Sequence, residues 1–218
     1  MVREEVTTIQ DREQAGYLLS KKLTVHKNTD ALVVGIAHGG AVVAYHLARA
    51  LHLSFAVVPC RKIKHPANDM QTIGSVSIDD VLIHEDIHDI PQDYIYHQIL
   101  MARIGIEREY NYYYANKPRP VFSDRTIIIV DDMLQENDAV LACLRSVRKQ
   151  KPTSLIVAVP VIAFSALRTI REEADDVVFS RMASGFDSVR NIYSALPSVK
   201  EEEVRDLLSH SLEAVIHG

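Results

Sequence analysis

Two adjacent carboxylates follow a short apolar run near the middle of the chain. Asp131 and Asp132 come directly after residues 126–130, which read TIIIV. An uncharged, mostly β-branched run of this length is typical of a strand buried on both faces in a parallel sheet. Two carboxylates about 5 Å apart repel each other by about 3 kcal/mol at an effective dielectric constant near ~20. A diol, a metal ion or basic groups beside the pair would explain why two carboxylates are adjacent at this position. The alternative is a helix cap followed by a solvated turn.

Glycines and cations stand beyond two further apolar runs. Gly39 and Gly40 come soon after the run ALVVGI, and Arg61 and Lys62 come soon after the run SFAVVP. Small residues at a strand-to-helix turn let the backbone approach an anion closely, and cations attract one. The alternatives are a tight turn and a solvated pair of loop residues. Because parallel strands end at the same edge of a sheet, we expect the acids, the glycines and the cations to face one crevice.

A third pattern offers a competing chemistry. His84, Glu85 and His88 match HExxH, the pattern of zinc hydrolases, which requires a helix that carries both imidazoles on one face. Here the pattern follows the strand-like VLI, and Pro91 comes three residues after His88. This leaves little room for a helix, so zinc hydrolysis is the weaker hypothesis.

Strands and helices must alternate to position these residues. The alternation predicts a doubly wound, mainly parallel sheet flanked by helices, in a single domain over residues 1–218. Residues 61–120 interrupt it with a hairpin that turns at 77–80 and a long segment rich in Tyr and Arg, and we expect a hood or flap beside the main sheet. The predicted strands are 31–36, 54–59, 126–130, 154–160 and 176–180; the predicted helices are 10–23, 41–51, 93–114, 138–149, 165–173 and 200–216.

The composition narrows the class of protein. The chain has 218 residues, of which 47% are hydrophobic and 24% charged, with a formal net charge of −5. A negative net charge argues against non-specific nucleic-acid binding. The two cysteines, Cys60 and Cys143, form no disulfide framework. No apolar run approaches the roughly 18 residues of a membrane helix, and the first residues lack a signal core, so we expect a soluble cytoplasmic protein without nucleic-acid or membrane partners.

Several of these motifs resemble, nearly end to end, the type I phosphoribosyltransferases. The resemblance is narrower to a bacterial group of predicted phosphoribosyltransferases of unassigned substrate. The similar segments are DREQAG at 11–16, GIAHGG at 35–40, RKIKHPAND at 61–69, IGSV at 73–76, IIIVDDM at 127–133, VAVPV at 157–161 and the tail at 186–197.

The resemblance implies a reaction and residues for it. The group transferred would be 5-phosphoribosyl, from 5-phosphoribosyl 1-pyrophosphate (PRPP) to a nitrogen nucleophile such as a nucleobase, in nucleotide metabolism. Asp131 and Asp132 would bind the ribose hydroxyls directly or through Mg²⁺, and the protein would be a homodimer. The 5-phosphate would lie against Met133, Leu134, Gln135, Glu136, Asn137, Asp138 and Ala139. The pyrophosphate would lie against His38, Gly39, Gly40, Arg61 and Lys62.

The sequence departs from this family at the phosphate loop. Glu136, Asn137, Asp138 and Ala139 occupy the positions where the family typically has Thr-Gly-Ala-Thr. A carboxylate about 5 Å from a phosphate costs about 3 kcal/mol per unit of phosphate charge, which is roughly a hundredfold in affinity. His38 also stands where the group usually has arginine. We therefore expect a weakened or lost PRPP site. The alternative is a non-catalytic module that binds a nucleoside or nucleotide on the same fold.

Overall fold

A computed structural model gives the fold of this chain. It describes residues 8–36, 38–84, 87, 89–115, 118–135, 138–183 and 192–216. The account that follows concerns these residues. Among them, no helix is both long enough and apolar enough to cross a bilayer.

A five-stranded sheet forms the centre of the molecule. Its strands are β1 Leu32–Ile36, β2 Ser54–Val58, β6 Thr126–Val130, β7 Ser154–Ala163 and β8 Asp176–Ala183. All neighbouring strands are parallel, and their order is β2-β1-β6-β7-β8. This confirms the predicted doubly wound sheet, and β7 and β8 run three residues further than the patterns indicated.

Six α-helices accompany the strands within the described residues. The first begins after Asp11, whose side chain accepts a hydrogen bond of 2.8 Å from the Gln14 backbone N–H and so caps the helix. A short 3₁₀ turn follows at Thr24–His26. The helices are α1 Arg12–Ser20, α2 Gly39–Leu51, α3 Gln92–Tyr114, α4 Asp138–Arg148, α5 Phe164–Glu173 and α6 Glu201–Ile216.

A second sheet of three antiparallel strands lies within the segment predicted to form the hood. It consists of β3 Arg61–His65, β4 Asn68–Val76 and β5 Val81–Ile83. The turn predicted at 77–80 joins β4 to β5. Strand β3 was not predicted, because its sequence RKIKH carries charges on both sides of a single buried residue, Ile63. An antiparallel strand with one solvated face needs no apolar run.

Helix α3 packs on this second sheet and joins it to the main one. Ile106 and Tyr110 of α3 form a small apolar core with Ile63 and Ile73. At the end of the helix, the Tyr114 hydroxyl donates to the Val57 carbonyl oxygen and accepts from the Val57 N–H, both at 2.9 Å. These bonds attach α3 to β2, the edge strand of the main sheet. The carboxyl end of β2 therefore lies beside α3 and β3.

Candidate functional site

The acid pair lies at the carboxyl end of β6, the central strand of the main sheet. Asp131 and Asp132 are half-buried, and the Asp132 backbone N–H donates to Asp131 Oδ1 at 2.8 Å. Burial, and then the negative charge of Asp132, raise the pKa of Asp131 well above its ordinary value. Carboxylates are the hard oxygen ligands by which proteins hold Mg²⁺ alongside ligand phosphates. The donor set therefore fits the cation or the diol that the sequence predicted for this pair.

The glycine turn packs directly against these two acids. A Cβ atom added at Gly39 would lie 2.6 Å from Asp132 Cγ, and one added at Gly40 would lie 2.7 Å from the Val130 carbonyl oxygen. Real Cβ atoms do not approach so closely, so the contact requires glycine at both positions. Since Gly39 begins α2, the acid pair lies against the first turn of a helix whose free N–H groups favour anions.

Arg12 is the basic residue that the acid pair meets. Its Nε and Nη2 donate to Asp132 Oδ2 at 2.8 and 2.7 Å, and its Nη1 donates to the Pro197 carbonyl oxygen at 2.6 Å. The Tyr193 hydroxyl donates to the Asp132 carbonyl oxygen at 2.8 Å. Sequence reasoning assigned no role to Arg12. The only signal was its place in the segment DREQAG, one of the segments that carried the family resemblance.

The loop after the acid pair begins as an extension of the main sheet. The Leu134 N–H donates to the Val161 carbonyl oxygen at 2.9 Å, and the Leu134 carbonyl oxygen accepts from the Ala163 N–H at 2.8 Å. Leu134 is buried, while Met133 and Gln135 are half-buried. The loop therefore leaves the acid pair along β7 before it reaches Ala139 in the first turn of α4.

The acidic part of that loop lies outside the described residues. Glu136 and Asn137 are not described, nor is the side chain of Asp138, the first residue of α4. That Glu136 and Asp138 weaken the phosphate site therefore stays a prediction.

Three of the five predicted pyrophosphate residues line one cleft beside α3, and Gly39 and Gly40 are not among its lining residues. His38, Arg61 and Lys62 all border this cleft of about 620 Å³. Lys62 is close enough to Asp131 for its positive charge to oppose the rise in that pKa. The structure thus brings the cations and the acid pair to the same edge of the sheet. The other residues that border the cleft are Cys60, Gln98, Met101, Ala102, Arg108, Glu109 and Glu201.

Carboxylates neutralise two cations of this cleft. Arg61 forms an ion pair with Glu109, whose side chain is 4% exposed, and Arg108 pairs with Glu201 at 3.3 Å. One ligand atom each from His38, Glu109 and Glu201 lie within 4.8 Å of one another, a spacing compatible with a metal ion. However, the two guanidinium groups already balance both carboxylates, so an ion-pair network accounts for the cluster.

The competing zinc pattern falls mostly outside the described residues. His84 follows β5, and its backbone N–H donates to the Ile73 carbonyl oxygen at 3.0 Å, which continues the antiparallel ladder. Glu85 and His88 are not described. The zinc hypothesis therefore stays untested.

Comparisons with known proteins identify the fold and the family. The model of the phosphoribosyl transferase domain family matches residues 3–189 of this chain. Two curated relatives from two strains of Mycobacterium tuberculosis, both named "Putative phosphoribosyl transferase", are 23% identical over 201 residues. That alignment covers 89% of this chain and 45% of each relative, so the chain spans about half the length of the curated relatives it matches.

Solved structures share the same architecture. The crystal structure of TT1426 from Thermus thermophilus has a TM-score of 0.77 and 26% sequence identity, and the match covers 93% of this chain and 98% of that one. A hypoxanthine phosphoribosyltransferase from Staphylococcus aureus shares the fold with a TM-score of 0.50 at 14% identity, over 92% of this chain and 93% of that one.

The family model and the geometry of the site agree. The match covers most of the chain and includes the acid pair, the glycine turn and the two cations of β3. The parallel sheet brings the acid pair and the glycine turn together at the carboxyl ends of β6 and β1, and the cations of β3 follow the neighbouring edge strand β2. The chain belongs to the phosphoribosyl transferase domain family.

Proposed function

We propose that this chain transfers a 5-phosphoribosyl group from PRPP to a nitrogen nucleophile of the nucleobase type. The observation that carries the proposal is the packing of Gly39 and Gly40 against the acid pair. This contact places backbone N–H groups, which bind anions, beside carboxylates, which bind hydroxyl groups or a cation. A ligand that has phosphates at one end of a diol fits both.

Each part of the site has a role in this reaction. Asp131 and Asp132 would bind the ribose hydroxyls or hold Mg²⁺, which when bound supplies positive charge to the leaving pyrophosphate. The start of α2 and the cations of the cleft, Arg61 and Lys62, would bind that pyrophosphate. The bond from ribose C1 to the pyrophosphate oxygen breaks, and a bond from C1 to the acceptor nitrogen forms. Stabilisation of the departing anion by fixed charges supplies most of the acceleration.

The proposal includes a weakened 5-phosphate site. Glu136 and Asp138 bring negative charge to the loop that follows the acid pair. Titration of the protein with PRPP and Mg²⁺ by calorimetry tests this, and we expect affinity weaker than micromolar. Micromolar binding would contradict the weakened site. An absence of binding at millimolar PRPP would contradict the proposed transferase.

A loop variant tests the electrostatic cause. We expect the triple substitution Glu136→Thr, Asn137→Gly and Asp138→Ala to strengthen PRPP binding by up to about a hundredfold, because it removes two carboxylates from the loop. Glu172→Thr, at an exposed position of α5, is the matched control and should leave the affinity unchanged. If the folded triple variant binds PRPP no better than the wild type, charge in the loop is not what limits binding.

A non-catalytic nucleoside-binding module is the second candidate. The acidic loop favours it, because a nucleoside has no phosphate to be repelled, and the pairing of Arg61 with Glu109 also leaves less positive charge for an anion. A thermal-shift screen of nucleosides against nucleotides separates the two functions. Stabilisation by nucleosides alone would support the module and contradict the transferase.

We also propose that the protein is a homodimer. Tyr96, Leu100 and Ile104 lie four residues apart on α3 and are 68%, 57% and 56% exposed, so one face of the helix is apolar and uncovered. A second copy of the chain would bury it. Sedimentation equilibrium would show a monomer if this is wrong.

A further inference from the structure

We propose that Arg12 is a positioning residue, which holds the Asp132 carboxylate in the orientation that the phosphoribosyl ligand requires. The inference rests on the proposed function and deepens it, because it adds a residue to the ribose side of the site. Arg12 lies in the first turn of α1, and 120 positions of sequence separate it from Asp132. Nothing in the spacing of the site motifs indicated this contact.

The guanidinium group fixes one oxygen of Asp132 from one side. Nε and Nη2 both donate to Oδ2, and the two side chains are only 13% and 16% exposed. A charge-assisted pair with two donors is among the stronger side-chain contacts, and the low exposure protects it from screening by solvent. Rotation of the carboxylate would break both hydrogen bonds.

Gly39 restricts the same carboxylate from another side. The position of a Cβ atom on Gly39 would be occupied by Asp132 Oδ2 and Cγ, and it would also lie 2.8 Å from Arg12 Nε. The carboxylate and the guanidinium group therefore share the space that a side chain at position 39 would fill. The backbone of Asp132 is held separately by the Tyr193 hydroxyl.

Arg12 is in turn held by a contact between two distant segments, residues 9–12 and 192–197, which we call the clasp. The Ile9 N–H donates to the Ile192 carbonyl oxygen at 2.7 Å, and the Ser194 N–H donates to the Ile9 carbonyl oxygen at 2.8 Å. Arg12 Nη1 adds the bond to the Pro197 carbonyl oxygen. The clasp thus fixes the arginine before any ligand arrives.

Arg12 acts through Asp132 rather than on the ligand. All three nitrogens of its guanidinium group donate to protein oxygens, two of them to the carboxylate and one to Pro197. When the carboxylate already has the binding orientation, no free energy is lost in ordering it as the ligand binds. Supporting residues contribute to binding and catalysis in this way.

The test compares Arg12→Gln and Arg12→Lys with the wild type. PRPP with Mg²⁺ is titrated into the full chain and followed by ³¹P NMR, which detects weak as well as tight binding. We expect Arg12→Gln to weaken PRPP binding by roughly 10- to 100-fold, the range for removing a residue that orients a ligand-binding side chain. Arg12→Lys keeps the charge without the two-donor geometry, so its affinity for PRPP should lie between those of the wild type and Arg12→Gln. Arg49→Gln, on the exposed side of α2, should bind like the wild type.

Tyr193→Phe separates positioning from general stability. It removes the hydrogen bond from Tyr193 to the backbone carbonyl of Asp132 without touching the carboxylate, so it should lower the melting temperature more than it weakens PRPP binding. If affinity instead follows melting temperature across all variants, the role of Arg12 is structural and the inference is wrong. Equal binding by Arg12→Gln and the wild type overturns the inference alone. An absence of binding by the wild type overturns the proposed function as well.

Discussion

The two halves of the site neutralise their charges in different ways. On the side proposed to bind ribose, Arg12 and Asp132 are both largely buried, and the clasp and Gly39 confine them. On the pyrophosphate side, Arg61 pairs with Glu109, but the Arg61 side chain is 37% exposed against 4% for the glutamate. The first pair orients an acid for a ligand. In the second pair, Glu109 competes with the ligand for Arg61.

This difference indicates which half must change when a ligand binds. The acid pair can accept a diol or a cation without losing its contact with Arg12, because Oδ2 is the only Asp132 oxygen to which Arg12 donates. Arg61 must exchange a buried carboxylate for a phosphate or bind both. We therefore expect the ribose side to be preorganised and the pyrophosphate side to rearrange.

The largest difference between the two halves of the site should appear when one glycine in each half is replaced by alanine. At Gly39 the new Cβ would collide with Asp132, which cannot move without breaking its pair with Arg12. At Gly105 a new Cβ would lie 2.6 Å from Arg61 Nε, at the end of a long and partly exposed side chain that can shift. We expect Gly39→Ala to weaken PRPP binding by about 100-fold, or about 3 kcal/mol, and Gly105→Ala by less than about tenfold.

Binding titrations and melting temperatures of both variants check this contrast. Gly105→Ala should melt at or above the wild-type temperature, because alanine is favoured over glycine inside a helix by up to about 1 kcal/mol. Equal losses of binding in the two variants would contradict the view that only the ribose side is rigid.

A medium effect is expected from neutralising the partner of Arg61. Glu109→Gln leaves a positive charge beside a buried neutral amide, so we expect a loss of about 1–3 kcal/mol in the free energy of unfolding. The same change frees Arg61 for anions, and inorganic pyrophosphate should bind severalfold more tightly. Urea denaturation and calorimetry measure the two effects.

Glu107→Gln is the matched control on the same helix. Glu107 pairs with Arg119 at the surface, where both side chains are about half exposed, and such pairs contribute less than about 1 kcal/mol. The interpretation fails if Glu109→Gln and Glu107→Gln change pyrophosphate affinity equally.

The smallest effect should be a gain in stability at the acid pair. The pKa of Asp131 is raised, so the stability that protonated Asp131 contributes is lost as the pH rises through that pKa. Asp131→Asn removes the buried charge, and we expect it to melt higher than the wild type at neutral pH, with the difference shrinking in acid. Melting temperatures across this pH range measure the difference in stability.

Asp175→Asn should behave in the opposite way. Hydrogen bonds from Arg148 hold the pKa of Asp175 below its ordinary value, so its contribution to stability is lost as the pH falls. This variant should melt lower than the wild type at neutral pH. If both variants shift the melting temperature in the same direction, the charge on Asp131 does not destabilise the fold.

The main sheet was predictable because its strands are buried on both faces. Residues such as Ile127, Ile128 and Ile129 form an uninterrupted apolar run, and no polar position is needed where water is excluded. The carboxyl end of such a strand also locates Asp131 without knowledge of the fold. The contact between the glycine turn and the acid pair followed from the polarity of a parallel sheet.

The partners of the site could not be predicted in the same way. Arg12 occupies an ordinary position near a capped helix start, and Glu109 belongs to an amphipathic helix in which a glutamate normally faces solvent. Their contacts join residues 120 and 48 positions apart. Periodicity reports which face of an element is buried, but it carries no information about which distant side chain lies against that face.

The clasp has a consequence for the order in which the molecule acquires its site. Arg12 and Pro197 are 185 positions apart, and closing so long a stretch of chain is slow compared with forming the helices and neighbouring strands. A nascent chain released before residue 192 would hold the entire five-stranded sheet, yet the arginine behind its second aspartate would lack an anchor. Competence for the sugar ligand would then arrive only once residues 192–197 have been made, after the five-stranded sheet is already in place.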